Sequence, residues 1–109
     1  PSKPTGIDIE YPSARVLKVS ERFLSGQEMS FIPKKREMIY QTVIWCAKEA
    51  LFKWWGKSNV TFNTDLIIDA FTCQHDKPFR LNAKVGADVV ETVSLMASVS
   101  GDCVVVYID

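Results

Sequence analysis

The sequence predicts an α+β fold: one strand, then helices, then an antiparallel β meander, in a single domain spanning residues 1–109. Three observations predict it. The segment Thr5–Glu10 alternates apolar and acidic residues, as a half-buried strand does. A continuous helical periodicity then runs from Glu37 to Trp55. After Gly56 the pattern changes to period two, interrupted by turn residues. A length of 109 residues suits one modest core.

Pro1–Pro4 reads as a linker or frayed end. In the first strand Ile7 and Ile9 share one face and Asp8 and Glu10 the other, and Pro12 ends it. Ala14–Phe23 fits a short helix with Val16, Leu17, Val19 and Phe23 inward. Ser25-Gly26-Gln27-Glu28 has the spacing of a capping box, which starts a second short helix toward Ile32. Lys34-Lys35-Arg36 reads as a solvated charge run. The long helix ends at Gly56 as its C-cap. Its broad apolar face comprises Ile39, Val43, Ala47, Ala50, Leu51 and Trp54, while Met38, Trp45, Glu49 and Lys53 gather on another side. A helix apolar nearly all round is buried, so Glu49 is expected in a protected place where it needs a partner. Strands are expected at Leu66–Thr72, Phe79–Val85, Val89–Ser98 and Cys103–Ile108. The breaks at residues 74–78, Gly86 and residues 100–102 make consecutive antiparallel pairing the natural connection.

Thirteen basic and thirteen acidic residues give zero formal net charge, which excludes broad electrostatic binding to nucleic acid or to an anionic membrane. Recognition of an anion must be local. The three cysteines, Cys46, Cys73 and Cys103, share no metal-type spacing and read as small buried hydrophobes of a reduced, cytoplasmic protein. No apolar run is long enough to span a bilayer. His75 sits in a polar turn-like stretch and reads as an exposed loop residue.

Two motifs carry the chemistry. Asp8 and Glu10 are two apart on a strand, so both carboxylates can reach one hard cation. Taken alone, the pair also fits an exposed strand edge. Glu49 and Lys53 are four apart on the helix, which alone fits either a surface ion pair or a ligand site. Lys48 projects about 100° away from Glu49 and can serve the same ligand from a different angle.

Jointly, Gly6-Ile7-Asp8-Ile9-Glu10, then Phe23-x-Ser25-x-x-Glu28, then Trp45-x-x-Lys48-Glu49-Ala50-x-x-Lys53 resemble the 4′-phosphopantetheinyl transferases, in particular the C-terminal half of the surfactin-synthetase type. The resemblance covers Gly6 to Gly56, and beyond Asn59 it rests on the expected antiparallel strands. It implies transfer of the 4′-phosphopantetheine arm of coenzyme A to a serine of an apo acyl or peptidyl carrier protein, releasing 3′,5′-ADP. It also implies Mg²⁺ held by Asp8, Glu10 and Glu49, and coenzyme A phosphate contacted by Lys53. Lys48 is the lysine of the Lys-Glu pair and is expected to contact the coenzyme. Glu28 is the expected general base by motif position, although the capping box accounts for the same residue. The alternative function is a non-catalytic half-domain that binds carrier protein or coenzyme A without turnover.

The chain departs from that family in two places. Gly56-Lys57-Ser58 stands where the family often has Gly-x-Gly, which reshapes the loop and removes no ligand. No counterpart of the first half, with its Ser-His segment, is found. The expectation is a C-terminal half separated from its partner half, or else a short form that self-associates to rebuild the coenzyme cleft.

Overall fold

A computed structural model describes residues 6–57 and 59–109. The expected linker at Pro1–Pro4, Thr5 at the start of the first strand, and Ser58 lie outside the described residues.

The elements in chain order are β1 (Ile7–Glu10), α1 (Ala14–Lys18), α2 (Ser20–Phe23), α3 (Gly26–Phe31), a single 3₁₀ turn (Lys34–Arg36), α4 (Glu37–Trp55), α5 (Phe62–Asp65), β2 (Leu66–Ile68), β3 (Phe79–Val85), β4 (Glu91–Ser100) and β5 (Cys103–Ile108). The five strands form one antiparallel sheet in the order β1-β5-β4-β3-β2. The helices cover one face of it, with α4 packed on β1 and β5. This is the expected α+β architecture.

Several local signals translate directly. Ser25 and Glu28 form the capping box in full: the Ser25 hydroxyl accepts from the Glu28 N–H at 3.1 Å, and the Glu28 carboxylate accepts from the Ser25 N–H at 2.9 Å. Helix α4 has the expected bounds and ends on Gly56 in the left-handed region, φ 71°, where a Cβ is unfavourable. Strands β3 and β5 also have the expected bounds.

Other boundaries moved for identifiable reasons. The Ala14–Phe23 helix divides at Val19, whose φ of −112° interrupts the helical run. Strand β2 stops at Ile68 because the chain leaves the sheet for α4, where the Cys73 N–H donates to the Tyr40 hydroxyl at 3.0 Å. Strand β4 starts at Glu91, since Val89 and Val90 are exposed in the connection that follows Gly86. It runs on to Ser100, which pairs with Cys103 across the two-residue turn Gly101-Asp102. The single turn α5 gave no periodic signal; the Asp65 carboxylate accepts from the Thr61 N–H at 3.0 Å and closes it.

The core lies between the sheet and the helices. Phe79, Leu81, Ala83 and Val85 of β3 meet Val93, Leu95, Ala97 and Val99 of β4, with Val104 and Val106 of β5 beside them. Against these pack Val43, Ile44, Ala47 and Leu51 of α4, all fully buried. Strand β1 breaks this pattern. Its register sets Asp8 opposite Val106 and Glu10 opposite Val104, so the acids face α4 and the interior. Ile7 and Ile9, which the alternation left free to point inward, stand on the outer face at 49% and 55% exposure. Among the described residues no helix is long and apolar enough to cross a membrane.

Candidate functional site

The inward turn of Asp8 and Glu10 is possible because α4 comes unusually close to the start of β1. A Cβ on Gly6 would lie 2.4 Å from the Ala50 carbonyl oxygen and 2.7 Å from the Trp54 Cβ. Only glycine allows that approach. It brings the α4 residues Glu49 and Lys53 to the two strand acids.

Lys53 donates to Asp8 Oδ1 at 2.8 Å and to the Ile7 carbonyl at 3.1 Å. Its ammonium carries three donors, so one remains for a ligand. The Lys53 side chain is half exposed, whereas Asp8 is buried. Asp8 Oδ2 is buried and has no hydrogen-bond partner. A buried carboxylate oxygen without a donor is costly, and it marks where a cation or donor would be accepted. Beneath it, the Cys46 thiol donates to the Asp8 carbonyl at 3.1 Å. Burial, with Asp8 next in effect, pushes that thiol far above its ordinary range and keeps it protonated.

The carboxyl groups act on one another. Glu10 is pushed up to about 7, first by burial, then by the neighbouring Asp8 carboxyl and the charge of Glu49, with Lys53 opposing. As two carboxylates, Asp8 and Glu10 repel. Glu49 is raised too, by burial and then by Asp8, with Lys53 again opposing. Lys53 is raised chiefly by its hydrogen bond to Asp8. Three mutually repelling carboxyls around one lysine form a site short of positive charge.

Their oxygen chemistry suits a hard divalent cation such as Mg²⁺, and the orphaned Asp8 Oδ2 offers it a first ligand. The carboxylates are not drawn into a finished cage, for among the described residues no three His, Cys, Asp or Glu side chains stand ready-arranged around a metal position.

The other two expected site residues are elsewhere. Glu28 and Lys48 are both completely buried and pair with each other at 2.7 Å. A general base has to reach a serine hydroxyl, and a coenzyme contact has to reach solvent-borne phosphate. Neither side chain has exposed surface for that. In this structure, then, neither Glu28, the expected base, nor Lys48, the expected coenzyme contact, reaches the acidic cluster; both serve the interior. A buried ionic pair twenty residues apart leaves no local signal in sequence.

Beside Glu10 opens a groove of about 400 Å³, lined by Arg15, Arg22, Thr42 and Trp45 among others. Sequence reading did not single out Arg15 or Arg22; as part of a helix separate from both acidic motifs they carried no spacing signal. His75 is exposed, as expected, with Nδ1 3.4 Å from Arg36 and no contact with the acidic cluster.

Residues 4–93 match a family model described as the 4′-phosphopantetheinyl transferase superfamily. No curated protein matches the chain.

Proposed function

This chain belongs to the 4′-phosphopantetheinyl transferase superfamily, and from that premise we propose that it is the catalytic half of an enzyme of the surfactin-synthetase type. In this reading it moves the 4′-phosphopantetheine arm of coenzyme A to a serine of an apo acyl or peptidyl carrier protein and releases 3′,5′-ADP. The observation that carries the reading is the convergence of Asp8, Glu10, Glu49 and Lys53 from two distant segments onto one half-buried cluster.

Asp8, Glu10 and Glu49 are the residues that would hold Mg²⁺. Bound there, the ion would supply charge neutralisation on the pyrophosphate of coenzyme A. Lys53 keeps one donor free and is exposed on that side, so it binds phosphate and stabilises charge on the leaving group. Glu49 sits half-buried beside it, where its carboxylate can accept the serine proton, directly or through water. The groove past Glu10 gives a serine presented by a carrier protein a path to these groups.

A further wall of the cleft is assigned to a partner half-domain or to a second copy of the chain. Ile7, Ile9 and Tyr107 form an exposed apolar strip on the outer face of the sheet, next to the unpaired edge of β1. Such a strip beside a free strand edge supports a protein contact there.

The test is incubation with apo carrier protein, coenzyme A and Mg²⁺, read by mass spectrometry for phosphopantetheinylated serine. Glu49→Gln should abolish most of the product. Absence of product from the chain together with its partner half, or full activity in Glu49→Gln, would refute the reading. Saturable calorimetric binding of coenzyme A or carrier protein without product would instead assign a binding half-domain.

A further inference from the structure

The transfer reaction leaves the Lys48–Glu28 pair without a chemical role, yet the pair is the most completely satisfied polar node among the described residues. All three Lys48 ammonium hydrogens are used: by Glu28 Oε1 at 2.7 Å, by the Phe23 carbonyl at 2.5 Å and by the Phe62 carbonyl at 2.9 Å. Glu28 in turn accepts from the Ser25 N–H at 2.9 Å and, through Oε2, from the Ile68 N–H at 2.7 Å. Five elements meet at one ion pair: the end of α2, the start of α3, α4, α5 and the edge strand β2.

Lys48 precedes Glu49 on α4. Adjacent helical residues project about 100° apart, so pinning one sets the direction of the other. Apolar burial holds a packed helix against its neighbours, but the hydrophobic effect is itself non-directional. Three hydrogen bonds from one buried ammonium are directional. On the far side of α4, the close approach at Gly6 sets the distance to β1. The pair and the glycine together therefore fix both rotation and separation of the helix that carries Glu49 and Lys53.

We propose that Lys48 and Glu28 are positioning residues for the transfer site: they lock the rotation of α4 that delivers Glu49 and Lys53 to Asp8 and Glu10. The inference rests on the transferase reading for its consequence, though not for its geometry. Groups hydrogen-bonded directly to metal ligands set metal affinity or activity by about ten- to a hundredfold, and a support acting through the helix is expected at the lower end of that range.

The variant pair is Glu28→Gln and the double variant Glu28→Gln/Lys48→Met, which leaves no unpaired buried charge. Three measurements are compared with the wild type. In the metal-free protein, nuclear Overhauser contacts from the Gly6 Hα to Ala50 and Trp54 report the seating of α4. A Mg²⁺ titration followed by NMR at residues 8–10 and 49 reports the closing of the carboxylates. The pH–rate profile of transfer distinguishes support from proton transfer.

The expected result for the double variant is a folded protein by circular dichroism, with weakened Gly6 contacts, a Mg²⁺ midpoint about tenfold higher, and a slower rate whose pH profile keeps its shape. A folded double variant with wild-type Gly6 contacts and midpoint overturns the proposal. So does loss of one limb of the pH profile in Glu28→Gln at an unchanged midpoint, which would make Glu28 the base. If the double variant does not fold, Glu28→Asp, which keeps the buried charge paired but shifts the carboxylate by one methylene, carries the same comparisons. If wild type shows neither Mg²⁺ response nor transfer, the transferase reading fails, and the metal-free Gly6 contacts alone decide the positioning role.

Discussion

Gly6→Ala places a methyl group where β1 and α4 meet, and its cost follows from three distances. The new Cβ would stand 2.4 Å from the Ala50 carbonyl oxygen, 2.7 Å from the Trp54 Cβ and 2.8 Å from the Ile108 Cγ1. Ordinary contact begins at 3.4 Å, so the first overlap is 3.4 − 2.4, about 1 Å. Two of the three neighbours are a helix backbone oxygen and a Cβ, neither of which can swing away on a flexible side chain. Helix α4 must retreat from the sheet. Overpacking of this kind costs about 1–3 kcal/mol, and a rigid helix with Val43, Ala47 and Leu51 buried behind it places the change toward the upper end. For a domain of this size about 2–3 kcal/mol lowers the melting temperature by roughly 10 °C or more. The retreat also opens the Lys53–Asp8 contact beyond its present 2.8 Å. Misplacement by about 1 Å at a catalytic group can cost on the order of 100-fold in rate. Calorimetry and a carrier-protein transfer assay measure the two effects. A Gly6→Ala protein melting within about 2 °C of wild type would refute the close approach and the reasoning built on it.

The metal-free protein should lose stability as pH rises from the ordinary carboxyl range to neutrality. Glu10 is raised in the folded state to about 7, so between its unfolded value and 7 the folded chain binds the extra proton. The favourable contribution is complete below the unfolded value and disappears as pH passes 7, by roughly 1 kcal/mol once partial exposure is discounted. Denaturant melts at pH 5 and 7.5 should show the fall, and Glu10→Gln should remove most of it. Asp8→Asn removes the partner of Lys53 and the principal negative neighbour of Glu49. NMR titration should then find Lys53 and Glu49 closer to their ordinary values, and Mg²⁺ should no longer shift the melting temperature; unchanged titrations would place Asp8 outside the cluster.

Much of the fold was legible because it is local. The capping box at Ser25 and Glu28, the left-handed Gly56 and the period-two runs of β3 and β5 are each decided by neighbours a few residues away. The early end of β2 was not legible, since the distant Tyr40 hydroxyl sets it, and the four residues of α5, closed locally by Asp65, are too few to show a helical period. The acidic cluster was half legible. Spacing grouped Asp8 with Glu10 and Glu49 with Lys53, and the family motifs joined the two groups.

By itself the sequence determined the order of elements, the helix that carries Glu49 and Lys53, and the identity of the acids that could share a cation. Only the tertiary structure decided which face of β1 is the inside. Alternation states that Ile7 and Asp8 point opposite ways, but the direction is chosen by what packs against the strand. Here α4 approaches through Gly6, so the acids turn inward while the isoleucines face out. The same packing decided the fate of Lys48 and Glu28. Both look like solvent-facing charges in a linear pattern. Distant segments supply the carbonyls and N–H groups that let this one pair be buried without leaving a charge unpaired.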